Sequence, residues 1–503
     1  MIQQSPGYLL VLATVLPVLG VMLSLALGGR RAERVALMTM PAGLAVAGAI
    51  FACVLATRRP LLYVVGAWAA PLGVSLRADG ISAAMLLTTA VLMCAIGLFA
   101  RADFGTPRPG PREARAPLAF WTLLLGVWGA LNAVFVGNDL FNLYVALELL
   151  TFGAVPLVSL DGRAETLAAA LRYLLFALVG SVLYLLGSAL LYGAYGTLDV
   201  VLLSSRVRAD TATEVAVALM TVGLLAKTAL FPLHLWLPPA HAGAPTAASA
   251  VLSALVVKAS FFLIVRLWFS VMPALPILPA AQVLAALGAA AIVFGSVLAI
   301  RQTRLKLLIA YSTVAQIGYL FLMFPLVAGA AAAPGASSAA WTGGMLQAIS
   351  HACAKAAMFM AAGLIALAVG HDRIAGLAGV GRALPMTVFA FGLSGLTLMG
   401  VPPSGGFLAK WLLLTAAIDR GQWWWALVVV AGGMFTGAYV FRVLARTVTR
   451  PGERLVPSAP VARGREALVL ALALLSVVLG VLPFASFGVL QIGRLDLSPG
   501  LLR

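Results

Sequence analysis

The amino-acid sequence predicts an all-α, polytopic membrane protein of about 14 transmembrane helices. Three observations carry that expectation. The composition is 62% hydrophobic and 10% charged, with a mean hydropathy of +1.06, which excludes a soluble globular chain. Apolar runs of about 20 residues, the length of one bilayer crossing, recur almost from end to end of the 503 residues. The cations outside those runs gather in alternate loops, as topology requires.

Taken in order, the runs place spans near 8–28, 35–57, 80–100, 117–137, 139–160, 166–194, 213–235, 244–272, 276–300, 304–328, 341–369, 383–416, 422–446 and 466–490. The first, in MIQQSPGYLLVLATVLPVLGVMLSLALGG, lacks the basic start of a cleavable signal and reads as a span. Odd-numbered loops hold most loop cations, among them Arg101, Arg108, Arg112, Arg115, Arg446, Arg450, Arg454, Arg463 and Arg465. Even loops and termini hold Arg58, Arg59, Arg77, Arg206, Arg208, Arg420, Arg494 and Arg503. The positive-inside rule then makes the odd loops cytoplasmic and puts both termini on the non-cytoplasmic side. A plasma (inner) membrane location follows, and the net charge of +17 reflects loop topology rather than nucleic-acid binding. The Pro/Arg-rich segments RADFGTPRPGPREARAP and RTVTRPGERLVPSAPVARGRE read as cytoplasmic linkers. Cys53, Cys94 and Cys353 all fall in apolar segments, so neither a disulfide framework nor a metal site is expected.

Charges inside the spans are the informative exceptions. From Leu224 to Trp268 two lysines, Lys227 and Lys258, flank FPLHLWLPP, where Pro232, Pro238 and Pro239 remove backbone donors and should interrupt the helix. A cation near mid-bilayer costs about 2.5–3.5 kcal/mol on insertion scales, so such residues face protein or water and mark ion pathways. Interrupted helices at that depth are a transport device. Lys355 and Lys410 lie similarly deep, and Glu148 in LFNLYVALELLTFGAVPLVSL is the one carboxylate centred in a span. Arg172, Arg266 and Arg442 lie near span ends, where they are expected to snorkel to the headgroups.

A proton relay needs groups that bind and release a proton at accessible pH. Lysine suits this, because burial lowers its proton affinity and a nearby carboxylate restores it. Glu148 is therefore the expected partner of Lys227, with Lys258 as the next station; a static pair that only fixes helix packing is the competing reading. GGMLQAISHACAKAAMFMAAG puts His351 and Lys355 four apart on one helix face. His351 suits a relay through its unperturbed pKa of about 6.5, and Lys355 is a further candidate. His234, His241 and His371 have no metal-ligand spacing with it.

LSGLTLMGVPPSGGFLAKW forms a second break, at Pro402, Pro403, Gly405 and Gly406, with Lys410 just beyond. Two broken, lysine-bearing spans five apart predict inverted five-helix repeats, spans 4–8 against 9–13, with spans 7 and 12 discontinuous. The expected organisation is a three-span segment (1–116), repeats at 117–272 and 273–446, and a linker with a final span (447–503).

FNLYVALELL, AKTALFPLHLWLPPAHAGAPTAASAVLSALVVKA, RQTRLKLLIAYSTVAQIGYL, SHACAKAAMFMAAG and GLTLMGVPPSGGFLAKW resemble the antiporter-like subunits shared by respiratory complex I, Mrp cation/proton antiporters and membrane-bound hydrogenases. The resemblance covers nearly the whole chain. It implies a proton path through Glu148, Lys227, Lys258 and Lys410, with His351 matching a polar station on span eleven. Lys410, where another complex I member carries glutamate, tilts the resemblance toward the complex I N-type or Mrp D-type pattern.

The resulting expectation is a proton-translocating subunit of a complex of the NADH:quinone oxidoreductase or Mrp type, embedded in the lipid bilayer beside other respiratory, Mrp or hydrogenase membrane subunits. No GxGxxG unit or cysteine cluster occurs, so no cofactor is expected and redox chemistry would belong to partners. The alternatives are a sodium/proton antiporter subunit working without redox chemistry, and a membrane subunit of a hydrogenase complex.

Overall fold

Helices dominate because a bilayer leaves no water to satisfy backbone polar groups. The structure, a computed structural model, describes residues 6–105, 115–272, 278–328, 334–450 and 458–495. Arg108, Arg112, Arg454 and Arg503 and the centres of both Pro/Arg-rich linkers lie outside the described residues. Among the described residues, 12 helices are long and apolar enough to cross a membrane. With the broken pair Pro385–Met399 and Gly405–Asp419 and the 16-residue Arg463–Val478, they make up an all-α polytopic membrane fold of about 14 crossing segments.

In chain order the elements are α1 (Tyr8–Leu27), α2 (Gly29–Thr57), β1 (Leu61–Val64), β2 (Ser75–Ala78), α3 (Gly80–Phe104), α4 (Arg115–Val136), α5 (Leu140–Val158), α6 (Ala164–Tyr195), α7 (Val200–Arg206) and α8 (Thr211–Thr228). They continue with α9 (Leu237–Gly243), α10 (Thr246–Val251), α11 (Val257–Arg266), α12 (Leu278–Arg301), α13 (Leu305–Phe321), α14 (Met323–Val327), α15 (Pro334–Val369), α16 (Val380–Ala383), α17 (Pro385–Met399), α18 (Gly405–Asp419), α19 (Trp423–Val448) and α20 (Arg463–Val478). β1 and β2 form an antiparallel hairpin in which Leu61 faces Ala78. This hairpin was not expected from hydropathy.

Two compact units result. One is drawn from Met1–Thr228, Leu255–Pro276 and Phe487–Arg503; the other is drawn from Ala229–Ala254 and Ile277–Ser486. In the first, α6 packs on α8, α1 on α4, and α2 on α3. In the second, α12 packs on α13, and α15 against α17, α18 and α20.

Both expected interruptions occur. α8 ends at Thr228, Ala229 adopts φ +58°, and the turn through Pro232 leads into α9, whose Pro238 and Pro239 sit in its first turn, where a missing N–H costs nothing. α17 ends in Gly400 at φ +82°, whose N–H bonds the Leu396 carbonyl, and Ser404 caps α18 by accepting from the Phe407 N–H at 3.1 Å.

The span Thr246–Val271 is fully buried across its most apolar window and carries two π-helical segments, Leu252–Val256 and Leu267–Val271, on either side of α11. π segments are rare and concentrate at functional positions. Lys258 follows the first of them by two residues.

Candidate functional site

Glu148 sits on α5, a helix opened by Asp139, whose carboxylate accepts from the Phe141 and Asn142 N–H groups at 3.0 Å. Lys227 is the penultimate residue of α8. Its Nζ lies 3.0 Å from Glu148 Oε1 and 3.0 Å from Thr151 Oγ1, one turn further along α5. Ser181 on α6 donates to the same Glu148 oxygen. Three helices thus converge on one ion pair, its lysine buried and its carboxylate half-buried, and that carboxylate also accepts a hydroxyl hydrogen bond. Close approach makes this geometric: a Cβ on Gly180 would stand 2.6 Å from the Gly223 carbonyl oxygen and 3.2 Å from Lys227 Cγ.

Lys258 on α11 is fully buried in the same unit. At the far end of α11, Arg266 overturns one expectation. It does not snorkel. Its guanidinium grips Asp79 with both Nη groups, Nη2 to Oδ1 at 2.7 Å, and Nη2 also donates to Ser82 Oγ at 2.7 Å. Arg77 reaches the same carboxylate at 3.3 Å. Asp79 caps α3, accepting from the Ser82 N–H, so the partner lies 187 residues away and hydropathy alone could not find it. Arg442 is likewise engaged, donating to the carbonyls of Ile300 and Gln302 at the end of α12. These terminal carbonyls carry the negative end of the helix dipole. Arg172 is exposed, as a snorkelling residue would be.

In the second unit His351 and Lys355 are both buried on α15. Lys355 donates to the Ile309 carbonyl at 2.9 Å and to Ser312 Oγ on α13. Thr313 also bonds the Ile309 carbonyl and shares a 2.9 Å hydrogen bond with Ser253. One turn before His351, Gln347 Nε2 donates to Gln316 Oε1 at 3.1 Å, and Gln316 Nε2 donates to the Leu398 carbonyl at 3.0 Å.

That carbonyl is shared. Lys410 on α18 donates to it at 2.6 Å and to Met399 O at 3.4 Å, the last carbonyls of the half-helix before the break. Its Nζ lies 3.9 Å from the centroid of the Tyr319 ring. A hydrogen-bonded run therefore joins Gln347, on the His351 face of α15, to Lys410. The α13 residues Ser312, Gln316 and Tyr319 recur at helical spacing in RQTRLKLLIAYSTVAQIGYL, a polar stripe that the charge-based reading passed over. Thr151 and Ser181 were also missed. Isolated hydroxyls in spans carry no sequence signal of their own.

Residues 137–436 match the family model described as NADH:quinone oxidoreductase/Mrp antiporter, TM. The chain is also 34% identical over 409 residues, 80% of its length and 79% of the relative's, to NADH-quinone oxidoreductase subunit N of Desulforudis audaxviator. The chain belongs to this NADH:quinone oxidoreductase/Mrp antiporter family. A second relative is the D-type subunit of the Na(+)/H(+) antiporter of Bacillus subtilis, 27% identical over 385 residues, 75% of this chain and 74% of that one. Among solved structures, a chain of the membrane-bound sulfane sulfur reductase, an archaeal respiratory membrane complex, superposes with a TM-score of 0.85 at 26% identity, covering 97% of each chain. The family-matched stretch contains Glu148, Lys227, Lys258, His351, Lys355 and Lys410.

Proposed function

We propose that this multi-pass membrane protein is a proton-translocating, antiporter-like subunit of a multisubunit complex of the NADH:quinone oxidoreductase/Mrp type. Glu148, Lys227, Lys258, His351 and Lys410 form its relay, with Lys355 as a further station. The single observation that carries the reading is the 3.0 Å Lys227–Glu148 pair, a buried lysine on a half-buried carboxylate between membrane-length helices. Making and breaking such a pair switches the proton affinity of both groups. The hydroxyls of Thr151 and Ser181 offer alternative partners when it opens. The redox reaction that drives the cycle belongs to partner subunits.

The chain is read as two five-helix repeats, 117–272 and 273–446, between a three-span segment (1–116) and a final span (447–503). Both termini are assigned to the non-cytoplasmic side of the cell membrane from the arginine distribution. Lys227→Ala in the assembled complex, reconstituted in vesicles, is expected to abolish coupled proton uptake without loss of assembly; full pumping by that variant would sink the relay. A second reading, a sodium/proton antiporter subunit, is favoured by the 27% identity to the D-type antiporter protein of Bacillus subtilis. Sodium-driven proton exchange with no redox substrate present separates the two.

A further inference from the structure

A groove that runs out from the Lys410 end of the relay opens in the second unit between α18 and α19, beside the break after Met399. It encloses about 370 Å³ and is lined by Met399, Val401, Trp411, Val430 and Met434, with Lys410 at its base. Trp411 and Val430 are each 51% exposed and Met434 73%, whereas Lys410 is 5% exposed. The groove thus leads from an outward-facing apolar surface to a buried amine. Among the described residues no carboxylate lies within ion-pair distance of that amine; its partners are the Leu398 and Met399 carbonyls and the Tyr319 ring.

We propose that this groove binds a long- or medium-chain carboxylic acid, the carboxylate pairing with Lys410 and the chain lying over Trp411 and Met434. An uncompensated cation in an apolar setting favours an anionic partner, since the same low dielectric that penalises a lone charge strengthens the pair. Depth selects the source. Trp423 and Trp424, exposed at the start of α19, suit the membrane interface. Met434 lies 11 residues further along, about 16 Å deeper at 1.5 Å per residue. A phospholipid anchored at that interface brings only hydrocarbon to Lys410. A free acid crosses hydrocarbon in its neutral form, and once at the groove it ionises by releasing its proton to water, so that its carboxylate pairs with the Lys410 ammonium and the proton is accounted for. Blockage of proton release from Lys410 would follow only on the relay reading; the binding does not depend on it.

The test is binding by the full chain in phosphatidylcholine nanodiscs, read as bromine quenching of Trp411 fluorescence, taken as the difference between native protein and Trp411→Phe. 11-Bromoundecanoic acid is expected to quench this component saturably, and its methyl ester only in proportion to its partitioning into the bilayer. Lys410→Met, and Val430→Phe, which fills the groove and spares the lysine, are each expected to raise the half-saturating acid concentration about tenfold or more. Identical quenching by acid and ester would mean that the groove holds hydrocarbon alone, and would overturn the proposal. So would unchanged saturation in Val430→Phe, the variant that decides the matter if Lys410→Met does not fold. Transport enters nowhere in this measurement, so its failure leaves the relay reading untouched.

Discussion

Gly180 on α6 and Gly223 on α8 face each other so closely that a Cβ on Gly223 would stand 2.3 Å from the Gly180 carbonyl oxygen. Small residues at such crossings let two membrane helices approach backbone to backbone. Gly180→Ala and Gly223→Ala must therefore push the helices apart, at a cost of about 1–3 kcal/mol by overpacking. Gly126 and Gly193, with nothing within 4 Å of an added Cβ, are the controls. Alanine there should be neutral or stabilising by up to about 1 kcal/mol, because it is the better helix former. Thermal unfolding of the four purified variants checks the contrast; equal losses at all four sites would contradict it.

The same crossing supports the ion pair, which makes a second prediction quantitative. Glu148→Gln leaves the Lys227 ammonium buried without its counter-charge and should cost about 3–5 kcal/mol, whereas Lys227→Met leaves a half-buried carboxylate and should cost less. The double variant removes both charges and should be less destabilised than the two losses added together, by at least about 1 kcal/mol. Unfolding titrations of native, single and double variants give the coupling directly. Simple additivity would mean that the contact carries no interaction energy.

Much of this arrangement was legible in the sequence because single residues betray it. Pro232, Pro402 and Pro403 fall in the turns between helices and Pro238 in the first turn of α9, where prolines are expected, and opposite charges at similar depth, Glu148 and Lys227, point to each other. Other features have no local signature. The π segments flanking α11 look like ordinary apolar helix, because backbone register leaves no mark on composition. Arg266 near a span end reads as a snorkelling residue until the fold brings Asp79 to it from α3. The α13 stripe of Ser312, Gln316 and Tyr319 is uncharged, and such residues cost too little in a span to stand out as buried charges do. The hairpin at Leu61–Val64 and Ser75–Ala78 lies in the loop between the spans 35–57 and 80–100, and strands of four residues are too short for an alternation of apolar and polar residues to show.

Asp79 yields a pH prediction. Burial alone would raise the pKa of its carboxyl, but the charges of Arg266 and Arg77 and the hydrogen bonds from Arg266 and the Ser82 N–H outweigh burial and hold it below the ordinary carboxylate value. Its stabilisation is therefore complete above the unfolded pKa of about 3.9 and is lost only as pH falls through the lower folded value. Asp79→Asn should be destabilised by about 3–5 kcal/mol at pH 7, since it strands two buried guanidinium groups. The deficit relative to native protein should narrow as the pH is brought well below 4. Denaturant unfolding of both proteins along an acid series is the measurement; a deficit independent of pH would show that the Asp79 charge does not hold the network.

At the second break, the Lys410 ammonium has two carbonyl acceptors and one aromatic face, the Tyr319 ring at 3.9 Å. A desolvated cation over such a face gains about 2 kcal/mol, and an exposed one about 0.5–1 kcal/mol. Lys410 is buried, so the upper figure applies. Tyr319→Phe keeps the face and should retain the coupling, whereas Tyr319→Leu removes it. Volume is lost as well in the leucine variant, and for that reason the comparison must be repeated with methionine at 410, where no cation remains to interact with either ring. Leucine at 319 should then cost about 1–2 kcal/mol less than it does beside Lys410, while phenylalanine should cost the same in both backgrounds. Equal costs for leucine in the two backgrounds would reduce Tyr319 to a packing residue and leave the carbonyls of Leu398 and Met399 as the groups that hold the lysine at the break.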